Sequence, residues 1–157
     1  MLRKIIKRIL AAFLDWLQVP GASYLRERYI YQNGAHVFPA RNLDMLSVGI
    51  HTSLHNVIIN LWAPVVLEDE VSIAHNALLL TGGHELSARG FTDKVIPRGP
   101  ITIKKGAWIG SNAIVLGGVT VGEGSILAAG SVLTKSIPRH EIWAGNPARK
   151  VRDFGRK

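Results

Sequence analysis

Aliphatic residues recur at every sixth position over a stretch of the chain that has no break. The members of this run are Ile103, Ile109, Val115, Val121, Leu127 and Leu133. A small residue comes four positions after each of the first five, and a period of six fits neither a helical face nor a simple alternating strand. The pattern predicts a triangular β-solenoid in which three hexapeptides close one coil and residues 18 apart stack on each other.

The repeat extends upstream with one displacement and one interruption. Its upstream members are Val48, Leu54, Leu67, Ile73 and Leu79. The first two are out of register with the others by one residue, so one extra residue is absorbed within residues 60–65. Residues 82–100 are polar and rich in glycine and proline, and they interrupt the pattern. We predict that they form a loop that projects from the solenoid, and long loops of this kind often have a function.

The chain of 157 residues is long enough for one domain. We expect an all-β solenoid over residues 46–137 with the projecting loop at about 82–100. A helical cap over residues 1–30 precedes the solenoid in this prediction, and a C-terminal extension over 138–157 follows it.

The first seventeen residues have a helical pattern. Eight large apolar residues between Leu2 and Leu17 follow helical spacing, and four basic residues lie between them. The segment is too short and too charged to span a bilayer, and no signal-peptide cleavage site follows it. It is therefore either a helix that caps the open end of the solenoid or a helix that lies in a membrane interface. We favour the cap because solenoids generally need one.

Composition limits the partners and the compartment. The net charge of +8 favours an anionic partner, but the chain has no nucleic-acid-binding motif, so we expect none of its partners to be nucleic acid. The absence of cysteine excludes disulfides and thiolate metal sites and is consistent with a reducing compartment. We expect a cytoplasmic protein, with peripheral membrane contact through the N-terminal helix as a secondary role.

Four motifs carry a resemblance to a known family. They are TGGHE at 81–85, WIGSN at 108–112, AAGSVLTKSIP at 128–138 and AGNPAR at 144–149. Together they resemble the hexapeptide-repeat acyltransferases, in particular the branch of maltose, galactoside and exopolysaccharide O-acetyltransferases, over about residues 65–152. The resemblance implies a left-handed parallel β-helix, acetyl-CoA as the acyl donor, a homotrimer and a role in polysaccharide biosynthesis.

The resemblance also identifies His84 as the catalytic residue. Transfer of an acyl group to a hydroxyl needs a base near that hydroxyl, because an alcohol is a poor nucleophile at neutral pH. Gly82 and Gly83 precede the histidine and would let the backbone approach a ligand closely. We expect a backbone N–H at the corner formed by Gly110 and Ser111 to hold the oxyanion.

Stacking predicts a binding edge for the donor. Ser111 and Ala129 are 18 residues apart and occupy the same hexad position, so they stack about 4.8 Å apart. Backbone groups at this spacing suit the extended, amide-bearing pantetheine chain. The resemblance assigns both residues to coenzyme A, with basic side chains such as Arg149 and Arg152 near its phosphates. The full set of expected cofactor-binding residues is Trp108, Gly110, Ser111, Ala129, Thr134, Lys135 and Arg149.

The acceptor side departs from the family. Related sugar acetyltransferases carry an Asn and an Asp in the coil before the histidine. Here His55 occupies the Asn position, Asn56 follows it, and no Asp is present in the matching stretch. Trp62 falls there instead, and an indole can lie against the apolar face of a sugar ring. These three residues are the candidates for acceptor binding, although for Trp62 we favour a core or trimer contact.

A zinc site is an alternative that we do not favour. A zinc enzyme of similar fold would need three converging histidines. His51, His55 and His75 occupy the fourth, second and third positions of their hexads, and side chains at different positions should point in different directions. We therefore expect no metal.

The predicted function is that of an acetyl-CoA-dependent O-acetyltransferase, with direct transfer to a sugar or glycan hydroxyl and His84 as the general base. Two alternatives stay open. The first is N-acetylation of an amino-sugar or an antibiotic, for which the base matters less because a neutral amine is already nucleophilic. The second is a non-catalytic solenoid that serves as a binding or scaffold protein.

Overall fold

A computed structural model describes residues 30–32 and 35–154, and the structural statements below concern these residues. The predicted N-terminal helix lies outside them. The structure contains one 3-10 helix, Ala40–Met45, and strands β1 (Ile30–Gln32), β2 (Ala35–Phe38), β3 (Leu46–Val48), β4 (Ser53–Leu54), β5 (Val57–Asn60), β6 (Val65–Leu67), β7 (Ser72–Ile73), β8 (Leu78–Leu80), β9 (Gly82–Ser87), β10 (Gly90–Pro97), β11 (Ile101–Ile103), β12 (Trp108–Ile109), β13 (Ile114–Leu116), β14 (Val119–Val121), β15 (Ile126–Leu127), β16 (Val132–Leu133), β17 (Glu141–Gly145) and β18 (Ala148–Asp153).

Three sheets form the faces of the solenoid, which confirms the predicted fold class. Sheet I has the strand order β1-β2-β5-β8-β13-β16, sheet II has β14-β11-β6-β3, and sheet III has β18-β17-β15-β12-β7-β4. The chain passes from sheet II to sheet III to sheet I in each coil. Neighbouring strands of successive coils are parallel, and the antiparallel pairs are β1 with β2, β9 with β10, and β17 with β18.

The register matches the predicted repeat. Ile103 pairs with Val121, Ile109 pairs with Leu127, and Val115 pairs with Leu133. All six repeat aliphatics from Ile103 to Leu133 are fully buried, so they form continuous columns inside the prism. Burial of each such side chain stabilises the fold by about 1.5–3 kcal/mol relative to exposure.

The corners explain the glycines in two different ways. A positive φ recurs every six residues, and the residues that adopt it in this part are Gly106, Asn112, Gly118, Gly124 and Gly130. Gly110 is not among them. A Cβ on Gly110 would lie 2.4 Å from the backbone nitrogen of Ala129, so this glycine permits close stacking of successive coils.

The register displacement between early and late coils has two components. Ile59 precedes Leu67 by eight residues instead of six, and Leu54 precedes Ile59 by only five. The extra residues lie at 61–64, where the Thr81 hydroxyl accepts hydrogen bonds from the backbone N–H groups of residues 62 and 63, at 2.9 and 3.1 Å. The predicted single insertion is therefore an insertion of two residues combined with a shorter corner after Leu54.

The predicted loop at 82–100 is an ordered β-hairpin. Strands β9 and β10 pair antiparallel and leave the prism at the corner between sheets I and II. The turn uses Gly90 at φ +109°, and the Ser87 hydroxyl donates to the carbonyl oxygen of Gly90 at 3.0 Å. The six-residue repeat could not reveal this element, because its residues pair with each other and contribute nothing to the coil.

The two ends of the solenoid differ. The β17–β18 hairpin extends sheet III at the C-terminal end. At the other end, β3 and β4 are the last strands of their sheets, and Leu46 and Val48 are only half-buried. Ile50 follows them with 61% of its surface exposed. No helix among the described residues is long and apolar enough to cross a bilayer.

The helical cap stays a prediction, and the open end near Ile50 makes it testable. If residues 1–17 cover this end, their deletion should lower the melting temperature and promote aggregation, because each lost apolar contact costs about 1.5–3 kcal/mol. If they lie in lipid instead, the deletion should leave the melting temperature unchanged and abolish binding to anionic vesicles.

A photo-crosslinking experiment provides the matched control for the deletion. The chain has no cysteine, so Ile50→Cys and Val151→Cys each offer one attachment point for a benzophenone, and both native side chains are 61% exposed. A crosslink from position 50 to residues 1–17 is expected, and none from position 151. Crosslinks from position 50 that reach only other copies of the chain would contradict the cap.

Candidate functional site

His84 lies on β9 of the projecting hairpin, with an exposed side chain. Its Nδ1 lies 2.9 Å from the backbone carbonyl oxygen of Thr92. A carbonyl oxygen can only accept, so this hydrogen bond requires the proton to be on Nδ1. Nε2 then keeps its lone pair and can accept a proton, which is what a general base needs.

A bulge in the hairpin directs the Thr92 carbonyl towards His84. Leu86 pairs with Phe91 and His84 pairs with Val95, so three residues of β10 lie opposite Glu85 alone. Bulges of this kind re-aim backbone groups and are frequent beside active sites. An ion pair between Glu85 and Lys94, at 2.9 Å, closes the bulge across the two strands.

Aromatic and cationic side chains hold His84 from two sides. The ring of Phe91 meets the imidazole edge to face, with 5.6 Å between the ring centroids, although 69% of its own surface is exposed. On the backbone side, Nη2 of Arg98 donates to the carbonyl oxygen of His84 at 2.7 Å. Both contacts restrict the position of the histidine, and within the described part of the chain the imidazole hydrogen bond is made by Nδ1.

The two glycines before His84 make room for protein side chains. A Cβ on Gly83 would lie 3.0 Å from Nε of Arg98, and a Cβ on Gly82 would lie 2.5 Å from the Trp62 indole. We expected these glycines to let the backbone approach a ligand. In the structure these two glycines leave room for Arg98 and Trp62 at the point where the hairpin leaves the prism.

Ser111 and Ala129 stack as predicted, and we call the corner between sheets III and I on which they lie the Ser111 edge. Backbone hydrogen bonds continue along it from coil to coil: Asn112 N–H donates to the His75 carbonyl oxygen at 2.9 Å, and Gly130 N–H donates to that of Ser111 at 2.8 Å. Ala129 is exposed and Ser111 is half-buried. The edge therefore offers an accessible strip that an extended ligand could follow.

The predicted oxyanion donor at this corner is partly excluded. The N–H group of Gly110 donates to the Leu127 carbonyl oxygen at 2.8 Å as part of the coil stacking. It is not available to an oxyanion, so any role at this corner would fall to the neighbouring Ser111.

Thr134 and Lys135 lie on a different corner from Ser111. They occupy the turn from sheet I to sheet II, which we call the His84 edge because the hairpin leaves the prism there. Sheet I separates the two edges, and the chain from Ser111 to Gly117 crosses it over roughly 15–20 Å at about 3.3 Å per residue. One face of the prism thus separates Thr134 and Lys135 from Ser111 and Ala129.

The remaining donor candidates lie on sheet III. Trp108 projects from its outer face with 50% exposure, and a row of paired residues connects it through Ile126 and Ile142 to Arg152. Arg149 is exposed on β18, where its Nη1 donates to the Ala148 carbonyl oxygen at 2.8 Å.

Lys150 differs from these arginines in having acidic partners. It contacts Glu141 at 2.8 Å and Asp153 at 2.9 Å. Hydrogen bonds from Lys150 and from the Trp143 indole hold the pKa of the Glu141 carboxyl below its usual value, and the same Glu141 contact raises the pKa of Lys150. Lys150 is therefore the least available cation of this hairpin for a phosphate.

The acceptor candidates are also divided between the two edges. His55 and Asn56 lie low on the Ser111 edge, where Asn56 Oδ1 accepts from His36 Nε2 at 2.9 Å and Asn56 Nδ2 donates to Asn76 Oδ1 at 2.6 Å. Trp62 lies half-buried on the His84 edge, against Gly82. One chain does not bring Trp62 together with the other two.

The expected divergence of the histidines is wrong for one pair. The rings of His55 and His75 stack, with centroids 5.0 Å apart and planes 24° apart. The shorter corner after Leu54 shifts His55 by one position and so aligns it with His75. The two rings meet through their faces rather than their nitrogen atoms, and the described residues contain no group of three or more side chains that could hold a metal ion.

The residues that position His84 were not predicted from the sequence. Phe91, Thr92 and Arg98 lie 7, 8 and 14 residues after it and approach it only through the hairpin pairing. The turn-forming sequence SARG at 87–90 was the one signal that could have revealed this hairpin.

Comparisons with known proteins find relatives of one kind. A model of the bacterial transferase hexapeptide (six repeats) matches residues 100–135. Galactoside O-acetyltransferase of Escherichia coli K12 is 38% identical over 90 residues, which cover 57% of this chain and 44% of that protein. The chain spans about half the length of the curated relatives that it matches.

Solved structures match over more of the chain. A hexapeptide-repeat acetyltransferase from Vibrio cholerae, complexed with acetyl coenzyme A, is 27% identical with a TM-score of 0.72, and the match covers 96% of this chain and 88% of that one. A maltose O-acetyltransferase from Clostridium difficile shares the fold at 23% identity and a TM-score of 0.70, over 97% and 88% of the two chains.

Proposed function

Because the chain belongs to the hexapeptide-repeat transferase family, we propose that it transfers the acetyl group of acetyl-CoA to a hydroxyl group of a sugar or glycan. The observation that carries this proposal is the state of His84. Its Nδ1 is held by the Thr92 carbonyl at 2.9 Å, and its Nε2 is left to act as a base in an exposed position.

The reaction needs two proton transfers, one from the acceptor hydroxyl and one to the leaving thiol. Nε2 of His84 takes the proton of the acceptor hydroxyl while the oxygen attacks the thioester carbonyl carbon. The tetrahedral intermediate then collapses, the C–S bond breaks, and the coenzyme leaves as a thiol that takes the proton from His84. The acetyl group never binds covalently to the protein in this mechanism. Because only Nε2 exchanges a proton, the hydrogen bond from His84 Nδ1 to the Thr92 carbonyl oxygen can persist throughout.

The division of site residues between two edges supports an assembly of several copies. The thioester would follow the Ser111 edge, which sheet I separates from His84 on the same chain by roughly 15–20 Å. A neighbouring copy that presents its own His84 edge would close that gap. Each active site would then combine the donor edge of one copy with the base of the next.

The outer face of sheet I supports the same assembly. It carries a continuous set of half-buried aliphatic side chains, namely Ile58, Leu78, Leu80, Ile114, Leu116 and Val132. The outer face of sheet II carries Ser47, Val66, Thr102 and Thr120, so it is more polar. Contiguous exposed apolar surface marks interaction sites, and sheet I lies between the two edges that must meet. A head-to-tail contact that closes after three copies gives the homotrimer.

A complementation experiment tests the shared site. His84→Ala removes the base, and Ala129→Phe blocks the Ser111 edge, so each variant alone should be inactive. Trimers purified with one tag on each variant should recover about a third of wild-type activity, since each mixed trimer has one interface in three that pairs an intact edge with an intact base. If His84 and Ser111 of the same chain formed the site, the mixed trimers would stay inactive.

The activity itself is tested with acetyl-CoA and a panel of sugars, oligosaccharides and amino-sugars. Mass spectrometry should find a product heavier by one acetyl group, attached through oxygen, and coenzyme A released in equal amount. Acetylation of amines alone would replace the proposed function with N-acetylation. The absence of both coenzyme A binding and product would favour the non-catalytic alternative.

A further inference from the structure

Arg98 is a cation beside the base with no acidic partner in the described part of the chain. One of its nitrogen atoms, Nη2, donates to the His84 carbonyl oxygen at 2.7 Å, and the side chain as a whole is exposed. None of the ion pairs among residues 30–32 and 35–154 includes it. Because a guanidinium has five N–H donors in a planar fork, most of its capacity to bind an anion is unused.

The surroundings of Arg98 do not neutralise it. Glu85 on the same hairpin is already paired with Lys94 at 2.9 Å. Asp93 is exposed in the bulge and forms no ion pair with Arg98. Residues 55–62, which include the predicted acceptor-binding side chains, contain no Asp or Glu.

The position of Arg98 is fixed by the fold. Its backbone N–H donates to the carbonyl oxygen of Thr81 at 2.7 Å at the foot of the hairpin, and the missing side chain of Gly83 leaves room for its stem. The guanidinium is therefore held against the backbone carbonyl of His84. On the other side of His84, the ring of Phe91 is 69% exposed and offers an apolar surface.

From this arrangement we infer that the acceptor is anionic: a sugar or glycan unit that carries a carboxylate or phosphate, which Arg98 binds while a hydroxyl of the same unit meets Nε2 of His84. The inference rests on the proposed function and gives its substrate class. A planar guanidinium fits both anions through two parallel N–H···O bonds. The ring of Phe91 suits the apolar face of the sugar. The net charge of +8 would also favour the approach of an anionic acceptor.

Matched acceptors test the inference. Glucuronate and glucose 6-phosphate differ from glucose mainly in their charged group, and glycosides of glucuronic acid and glucose form a similar pair. The wild-type protein should show a KM for the acidic members that is at least tenfold lower. Arg98→Ala should raise that KM by roughly 10- to 100-fold, as expected for loss of a hydrogen-bonded charge, and leave the KM for glucose within about twofold.

Two control variants and the kcat of Arg98→Ala separate this role from support of His84. Arg89→Ala removes a cation from the turn of the same hairpin and should leave both acceptors unaffected. Arg98→Lys keeps the charge and should retain part of the preference. If Arg98 acted only on the histidine backbone, Arg98→Ala would lower kcat equally for acidic and neutral acceptors, and that result would overturn the inference.

A binding measurement without turnover separates the inference from the proposed function. Amide chemical shifts of the hairpin should respond to glucuronate or glucose 6-phosphate in the wild-type protein and not in Arg98→Ala. The relative size of the two responses tells carboxylate from phosphate. Equal responses to glucose and to both anions would sink the inference even where acetyl transfer occurs. Anion binding without any transfer would instead count against the proposed function.

Discussion

Replacement of His84 by alanine is expected to lower the turnover number by about 10²–10⁴-fold, the range for loss of a general base. Acetyl-CoA should bind as before, because no backbone group of the Ser111 edge changes. Initial rates of coenzyme A release give the turnover number, and calorimetry with acetyl-CoA on the same preparation gives the binding affinity. Added imidazole should restore part of the rate, since it can occupy the space left by the ring.

The control for this variant is His51→Asn. His51 is exposed on the corner between sheets II and III, and asparagine tolerates its left-handed φ of 55°. Its turnover should match that of the wild-type protein. Full activity of His84→Ala towards a hydroxyl acceptor would remove the histidine from the mechanism, and full activity towards an amine alone would favour N-acetylation.

Replacement of Ala129 by phenylalanine is expected to weaken acetyl-CoA binding by at least about 100-fold, or roughly 2.7 kcal/mol. The methyl group of Ala129 is exposed on the Ser111 edge, so a phenyl ring there occupies the strip that the pantetheine chain would follow. Because the ring points away from the packed core, the melting temperature should stay close to that of the wild-type protein. Calorimetry with coenzyme A and thermal denaturation check the two parts separately.

Two further variants make this result specific. Ala129→Ser keeps a small side chain and should bind normally. Glu123→Phe places the same bulk at an exposed corner on the far side of the prism and should also bind normally. Undiminished binding by Ala129→Phe would show that the donor lies elsewhere. Sedimentation should confirm that all variants keep the oligomeric state of the wild-type protein.

The coils could be predicted from sequence because each hexapeptide obeys one local rule. Burial requires an aliphatic side chain at positions such as Ile109 and Leu127, and stacking leaves no space for a Cβ at Gly110. The aliphatic requirement recurs in every coil, so it can be recognised from the six-residue period, whereas Ala74 and Ala128 occupy the position of Gly110 in the neighbouring coils. The stacking of Ser111 and Ala129 follows directly from the same period.

The geometry around His84 could not be predicted in this way, because it depends on a non-repeating pairing. The proton on Nδ1 is determined by the Thr92 carbonyl, and that carbonyl is aimed by a bulge. A bulge of two additional residues leaves no periodic trace in the sequence. The same holds for His55 and His75, which stack only because one corner is a residue shorter than the others.

The hairpin is inserted without changing the phase of the six-residue repeat. Leu79 pairs with Val115, 36 residues further on, so one whole coil of 18 and a hairpin of similar length fit between them. Both ends of the hairpin return to the same corner, and the next coil continues in phase. The molecule is thus modular: in the proposed mechanism the solenoid would bind the donor, and the hairpin would carry the base and its neighbours as an exchangeable appendage. Grafting a different hairpin between Thr81 and Ile101 would be a direct route to new acceptors on an unchanged scaffold.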